Sequence, residues 1–207
     1  MGRNIGPKNK IARRFGINLG LKTNASKVAR RIKQAPGVHG PKRQRQTTSS
    51  FGKQLIEKQK AKYLYGLRER QFRSYVEEAN RREGDSGENL KMLLEKRLDN
   101  VVYRMGFAST RAQARQFVGH GMFSVNGKKM NIPSYLVSSE DEVALKENKK
   151  KKTIFTEITE QLSKHDAPGW LAVDATGKSG KVLHMPAQDD FEKVFDVKFI
   201  IEYYSQR

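Results

Sequence analysis

Cysteine is absent from the 207 residues. That excludes disulfides, thiolate metal sites and a cysteine nucleophile. Long apolar runs are missing as well. The longest, Trp170–Val173, is four residues, whereas a membrane-crossing helix needs about 20. No apolar stretch follows the basic residues near Met1, so no secretory leader is expected. Gly6 stands where a myristoylation signal needs Ser or Thr. The four histidines, His39, His120, His165 and His184, are never three or four apart. With no cysteine to complete a ligand set, neither a metal nor a cofactor is expected. Acid is scarce in one place above all: residues 1–60 hold 16 Lys and Arg against a single acid, Glu57.

What is present is positive charge. Lys and Arg total 41 and Asp and Glu 22, a net charge of +19. The excess is uneven, with +15 in residues 1–60, +2 in 61–97, +5 in 98–152 and −3 in 153–207. A segment of +15 repels itself and gains little by folding alone. It needs a polyanion, and nucleic acid is the commonest one in a cell. Without it, residues 1–45 are expected to lack a core and to stay unordered. Hydrophobic residues make up 36%, enough for a modest core and not for a large enzyme core.

The pattern along the chain predicts helices first and strands later. Ser26–Gln34 can form a short basic helix capped by Ser26. From Lys53 to about Arg82 apolar residues recur at helical spacing, with Gly66 separating two helices. Leu90, Leu93, Leu94, Leu98, Val101, Val102 and Met105 lie on one stripe, which predicts one helix ended by Gly106. A short helix from Ser109 or Thr110 to Val118 follows, with Thr110 and Gln113 fitting a capping box. Met122–Val125, Asn126-Gly127 and Lys128–Ile132 read as a hairpin. Val143–Leu145 reads as a further strand, and residues 153–163 as a helix. Trp170–Val173, Lys181–Met185 and Phe195–Tyr204 read as short strands and a final extended segment.

Enzymatic motifs fail on inspection. Gly177-Lys178-Ser179 could end a phosphate-binding loop, but the glycine required five residues earlier is Ala172. Gly37-Val38-His39-Gly40 resembles a backbone-clamping loop, but Pro36 and Pro41 keep helices from abutting it. The acid pairs Glu77-Glu78 and Asp189-Asp190 sit in polar surroundings and read as solvated faces. The specific signal is segment 97–130. Arg111 and Arg115, four apart, share a helix face. The helix start at Ser109–Arg111, with Thr110 and Gln113, offers free amides and a positive dipole end. His120 sits between two glycines, and the Asn126-Gly127 turn carries Lys128 and Lys129. Both guanidiniums should project outward, making a basic platform for folded RNA read by shape and backbone.

These residues closely resemble the RNA-binding module shared by small-subunit ribosomal protein four, several pseudouridine synthases and some tyrosyl-tRNA synthetases. The likeness to the bacterial ribosomal family extends along roughly residues 1–207. It is carried by Gly40–Arg45, Glu57–Lys60, Tyr65-Gly66-Leu67, Glu69–Phe72, Gly87–Leu90, Arg97–Tyr103, Asn131–Tyr135, Pro168–Leu171 and Glu202–Ser205. The resemblance implies an α+β fold: a basic extension over 1–45, a helical domain over 46–96 completed by 158–207, and the RNA-binding module inserted at 97–157. It implies binding to small-subunit rRNA early in assembly and an influence on decoding accuracy. It also implies neighbours among small-subunit proteins (five, with three and twelve as further candidates) and mRNA where it enters. The implied location is the cytoplasmic bacterial ribosome, with an organellar ribosome as the alternative. The RNA-contact candidates are then Arg3, Lys8, Arg13, Arg14, Lys42, Arg43, Arg45, Lys58, Arg70 and Arg97, beside the module's Ser109, Thr110, Arg111, Gln113, Arg115, His120, Asn126, Lys128 and Lys129.

Two departures from the family pattern stand out. Asn9 and Ala12 occupy positions where many bacterial relatives carry zinc-binding cysteines, so zinc is out. Ser139-Glu140-Asp141 replaces a Pro-Gly-Asp turn, and its acids are unsuited to phosphate. The competing reading is an RNA-modifying or tRNA-charging enzyme using the module as an anchor. It needs a separate catalytic domain, which the 96 residues before the module and the 50 after it do not suggest. A free RNA chaperone or translational regulator is the other alternative. No small-molecule substrate and no membrane partner is expected.

Overall fold

The computed structural model describes residues 6–38, 40, 48–150, 155, 162, 165–174, 176 and 178–205. It divides into two units, residues 1–90 with 192–207, and residues 91–191.

In the first unit, helix ends follow capping chemistry. Helix α1 (Lys8–Phe15) stops at Gly16, whose φ of 68° suits a residue without Cβ. Helix α2 (Ala25–Ala29) is capped by Asn24, whose side chain accepts from the Lys27 amide at 2.9 Å. It is shorter than the expected Ser26–Gln34, and Ser26 is not its cap. These segments bury Ala12, Leu19 and Val28, and the Phe15 ring lies 6.1 Å from Tyr63. The expectation of a coreless extension is therefore corrected for the described part of 1–45. Helix α3 (Ser50–Leu64) is capped by Ser49, and Gly66 turns the chain into α4 (Glu69–Arg81). Phe72, Val76 and Ala79, four and three residues apart, form the buried face of α4.

Residues 195–204 are not extended. The C-terminal helix Val197–Ser205 begins at Asp196, whose carboxylate accepts from the Lys198 amide at 2.9 Å. Ile200 and Tyr203, three residues apart, are buried, and Tyr203 meets Phe51 at 5.7 Å between ring centres. Its β-branched and aromatic composition favours a strand locally, but packing against α3 outweighs that preference. Helix α5 (Ser86–Glu95) starts from Asp85, which accepts from the Glu88 amide. At Gly87 a Cβ would stand 2.8 Å from Val197, so this close approach needs glycine.

The stripe from Leu90 to Met105 belongs to two helices, not one: α5 and α6 (Leu98–Arg104). Residues 133–137 take up the backbone groups at the break. The Leu98 amide donates to the Tyr135 carbonyl at 2.8 Å, the Val137 amide to the Lys96 carbonyl at 2.9 Å, and Arg97 pairs with Leu136. Helix α7 (Arg111–Gly119) packs on α6. An antiparallel sheet follows, built from β1 (Phe123–Val125), β2 (Lys128–Met130), β3 (Glu142–Leu145), β4 (Leu171–Asp174) and β5 (Ser179–Val182). Its order is β2-β1-β3-β5-β4. Asn126 and Gly127, at φ 49° and 75°, make the expected two-residue turn. A short helix, α8 (Glu147–Lys150), follows β3.

Because β5 pairs with β3, setting Ala144 opposite Ser179, residues 171–182 complete this sheet. The second unit thus runs to Phe191, and the helical unit resumes at Glu192 instead of 158. Strand β5 also lies earlier than the expected Lys181–Met185. Gly180 sits against Met105, where a Cβ would be 2.7 Å from the sulfur. The expected helix over 153–163 falls largely outside the described residues, although Phe155 and Leu162 are buried in the second unit's core beside Trp170. The fold is α+β, and no described helix is long and apolar enough to cross a membrane.

Candidate nucleic-acid interface

Thr110 starts α7 by accepting from the Gln113 amide at 3.2 Å. The Gln113 side chain reaches back to the Ser109 amide at 2.9 Å, one residue before the cap. Thr110 is buried and Ser109 exposed. This reciprocal bonding fixes where Arg111 and Arg115 leave the helix. They share a face, as expected, but they do not simply project into solvent. Arg111 donates to Asn100 Oδ1 at 2.8 Å and lies over the Tyr103 ring at 4.5 Å. Arg115 stands 3.5 Å from Asp99 Oδ2, with its side chain 11% exposed.

Beneath them lies a buried polar network supplied by α5, α6 and the link between them. Arg97 grips both oxygens of Asp99, at 3.1 and 2.7 Å. Glu95, fully buried, takes Arg104 through both oxygens at 3.0 Å each and accepts from Asn100 Nδ2 at 2.7 Å. Arg97 and Arg115 therefore share Asp99, Arg104 takes Glu95, and Arg111 joins the network through Asn100. Ion pairs removed from water interact more strongly than those on the surface. The acids and Asn100 hold the forks in place. Planar guanidiniums suit phosphate, which they can bind through two parallel bonds.

The other candidates divide. Arg97 has no exposed surface, so it anchors Asp99 and is not available to RNA. Lys58 is also buried, 2.6 Å from Glu69 and 4.4 Å from the Tyr203 ring centre, and is likewise corrected to an internal role. Burial alone would push the Glu69 carboxyl up. Bonds from Lys58, Lys62 and the Tyr204 hydroxyl outweigh it and hold that carboxyl at about 2. Burial and the charge of Glu69 push Tyr204 the other way, upward. Asn126 is tied to Asp141 at 2.8 Å and to the Glu142 amide at 2.9 Å, so its side chain braces the hairpin. Arg13 donates to the carbonyls of Gln34 and Ala35, pinning that loop. Lys8 is half-buried, while Arg14, Arg70, His120, Lys128 and Lys129 are exposed. The stem of Lys129 passes Gly121, at the far end of α7 from Arg111. Nine residues of helix separate those ends by about 13 Å, so Lys129 lies toward the end of the helix away from Arg111. Arg3, Lys42, Arg43 and Arg45 lie outside the described residues.

Residues 3–95 match the ribosomal protein S4/S9 N-terminal domain, and residues 96–143 match the S4 domain. The chain is 46% identical over 208 residues to small ribosomal subunit protein uS4 of Roseiflexus castenholzii, covering all of both chains. It is 46% identical to that of Chloroflexus aurantiacus and 45% identical to that of Variovorax paradoxus, again over the full length of each.

The chain belongs to the uS4 family of small ribosomal subunit proteins. It is a ribosomal protein and not an enzyme. In this uS4 chain the S4-domain match ends at Glu142-Val143, inside β3, whereas β5 and β4 carry the same sheet two strands further. Sequence reasoning did not single out Glu95, Asn100, Tyr103 and Arg104 as members of the arginine network. The available signal was their position: Asn100, Tyr103 and Arg104 stand three, six and seven residues after Arg97, the spacing that brings groups to one helix face.

Proposed function

We propose that this chain binds folded small-subunit rRNA as a structural component of the small ribosomal subunit. The α6–α7 arginine cluster is the core of the interface, and Arg14, Arg70, Lys128 and Lys129 add phosphate contacts. The observation that carries this reading is the placement of Arg111 and Arg115 on one face of α7, held by Asn100 and Asp99 within the S4-domain match of a chain of net charge +19. Early entry into subunit assembly, an effect on decoding accuracy, contacts with small-subunit proteins five, three and twelve and with incoming mRNA, and residence on the cytoplasmic bacterial ribosome all belong to the same reading. They rest on family likeness. The test is filter binding of the full chain to small-subunit rRNA across a salt series. Affinity should fall steeply with salt, because each phosphate contact releases counterions. Deleting residues 1–45 should flatten the slope. Co-sedimentation with small subunits through a high-salt wash separates a ribosomal protein from a free RNA chaperone. Salt-independent binding, or loss of the chain in the wash, would overturn the reading.

A further inference from the structure

A cleft of about 340 Å³ opens beside the arginine cluster in the second unit, lined by Tyr103, Arg104, Gly106, Ser109, His165 and Asp166 among others. We propose that this cleft receives one unpaired guanine of the bound RNA, read by Asp166; the proposal rests on the RNA-binding reading above. The volume is at the lower end for small-ligand pockets, roughly 300–1,000 Å³, and suits a single base.

Three observations point to a base and not to a phosphate. The first is the wall. Tyr103 carries the Arg111 guanidinium over its ring at 4.5 Å and also lines the cleft. A residue that borders both the phosphate-binding arginine and the cleft links the two sites within reach of one nucleotide. His165 supplies a second aromatic surface. Its Nε2 lies 2.8 Å from the Arg104 carbonyl. A carbonyl can only accept, so Nε2 carries the proton and the ring is held in one orientation. Gly106, at φ 84°, lets that ring approach the backbone, since a Cβ there would be 2.7 Å from His165 Cδ2. Aromatic surfaces at such a spot suit an unstacked base.

The second observation is Asp166. In a chain of net charge +19, this exposed carboxylate borders the cleft and makes no hydrogen bond or ion pair among the described residues. It repels phosphate and requires donors. Guanine presents N1–H and N2–H side by side, a pair that a carboxylate can accept with both oxygens. Adenine and cytosine each present one amino group beside an acceptor that would face the carboxylate, and uracil presents a single N–H. The edge must be free of its Watson–Crick partner, which selects an unpaired residue. The third observation is the Ser109 hydroxyl, exposed at the rim and able to donate to guanine O6 or a neighbouring phosphate.

The test uses the full chain on small-subunit rRNA with two footprints. Kethoxal modifies unpaired guanine at N1 and N2, and hydroxyl radicals report backbone contact. The wild-type chain should protect at least one unpaired guanine from kethoxal. Asp166→Asn and Asp166→Ala should restore its reactivity at least fivefold while leaving the hydroxyl-radical footprint in place, with melting temperatures unchanged. His165→Ala should restore part of that reactivity. Unchanged kethoxal protection in both Asp166 variants, or no guanine protected by the wild type, would overturn the proposal while an intact radical footprint keeps the RNA-binding reading. Loss of the whole radical footprint in Asp166→Asn would also overturn it, by making Asp166 a structural residue. Absence of any footprint with the wild-type chain would sink the RNA-binding reading itself.

Discussion

Lys58 in the helical unit and Arg97 in the unit that carries the S4-domain match are both buried cations in a strongly basic chain, and they are held in different ways. Lys58 is a compact charge on Glu69, which it shares with Lys62 and Tyr204, and it also faces the Tyr203 ring. Glu69 is half-exposed, so water shares its solvation. Arg97 is a planar fork on Asp99, both are buried, and Asp99 also carries Arg115. The first arrangement closes a helical core and ends there. The second continues to Arg115, and through Asn100 to Arg111, the arginines proposed to meet the RNA. The number of cations in a segment does not locate an interface. What locates it is which cations the local acids neutralise and which they only orient.

The largest effect should separate the two cations directly. Asp99→Ala leaves Arg97 buried without its carboxylate, which costs about 3–5 kcal/mol. Lys58→Met leaves Glu69 with Lys62, Tyr204 and water, and should cost about 1 kcal/mol or less. Denaturant unfolding of both variants measures the difference. Equal losses would break the distinction.

Next in size is the interface. Arg111→Ala and Arg115→Ala should each weaken rRNA binding by about 1–2 kcal/mol, in line with lost charge-assisted bonds. Arg115→Ala should also lower stability by about 1 kcal/mol, because Asp99 loses a partner, whereas replacement by Lys should recover only part of the affinity. Filter binding and melting curves on the same samples decide. Wild-type affinity in both alanine variants would mean the cluster serves folding alone.

A smaller effect concerns acid. The Glu69 carboxyl sits at about 2 in the folded chain, below the value near 4.3 of an unstrained glutamate. A depressed value stabilises the fold fully above the unfolded value. That contribution is lost as pH falls from about 4.5 toward 2. Glu69→Gln should therefore flatten the stability profile across that window and leave the rest unchanged. An identical acid profile would show that the Lys58–Glu69–Tyr204 group contributes nothing measurable. The smallest effect is expected at Glu142→Ala. That exposed side chain opens β3 just after the acidic turn, and both rRNA affinity and melting temperature should stay at wild-type values. A clear loss of affinity would place the turn on the RNA.

Local signals were legible wherever chemistry between neighbours in sequence decides the outcome. Thr110 with Gln113, Gly66, and the Asn126-Gly127 turn each act within a few residues, and each set a boundary that the chain obeys. The break at Lys96-Arg97 was not legible, because backbone groups some 40 residues later cause it. The C-terminal helix was hidden for a similar reason. Its residues prefer strand in isolation, and only the apolar face of α3 makes a helix the better burial.

Composition and motif spacing by themselves determined that this chain is basic, free of thiol chemistry, helical first and stranded later, and that it carries a helix presenting Arg111 and Arg115; the α+β class came from the family resemblance. They could not determine that Arg97 and Lys58 turn inward, that Asp99 and Asn100 orient the arginines, or that β4 and β5 join the module's sheet. Charge and capping act along the chain, where sequence distance is spatial distance. Neutralisation and burial act across it, and which acid meets which base is decided only when α5, α6 and α7 come together around Glu95 and Asp99.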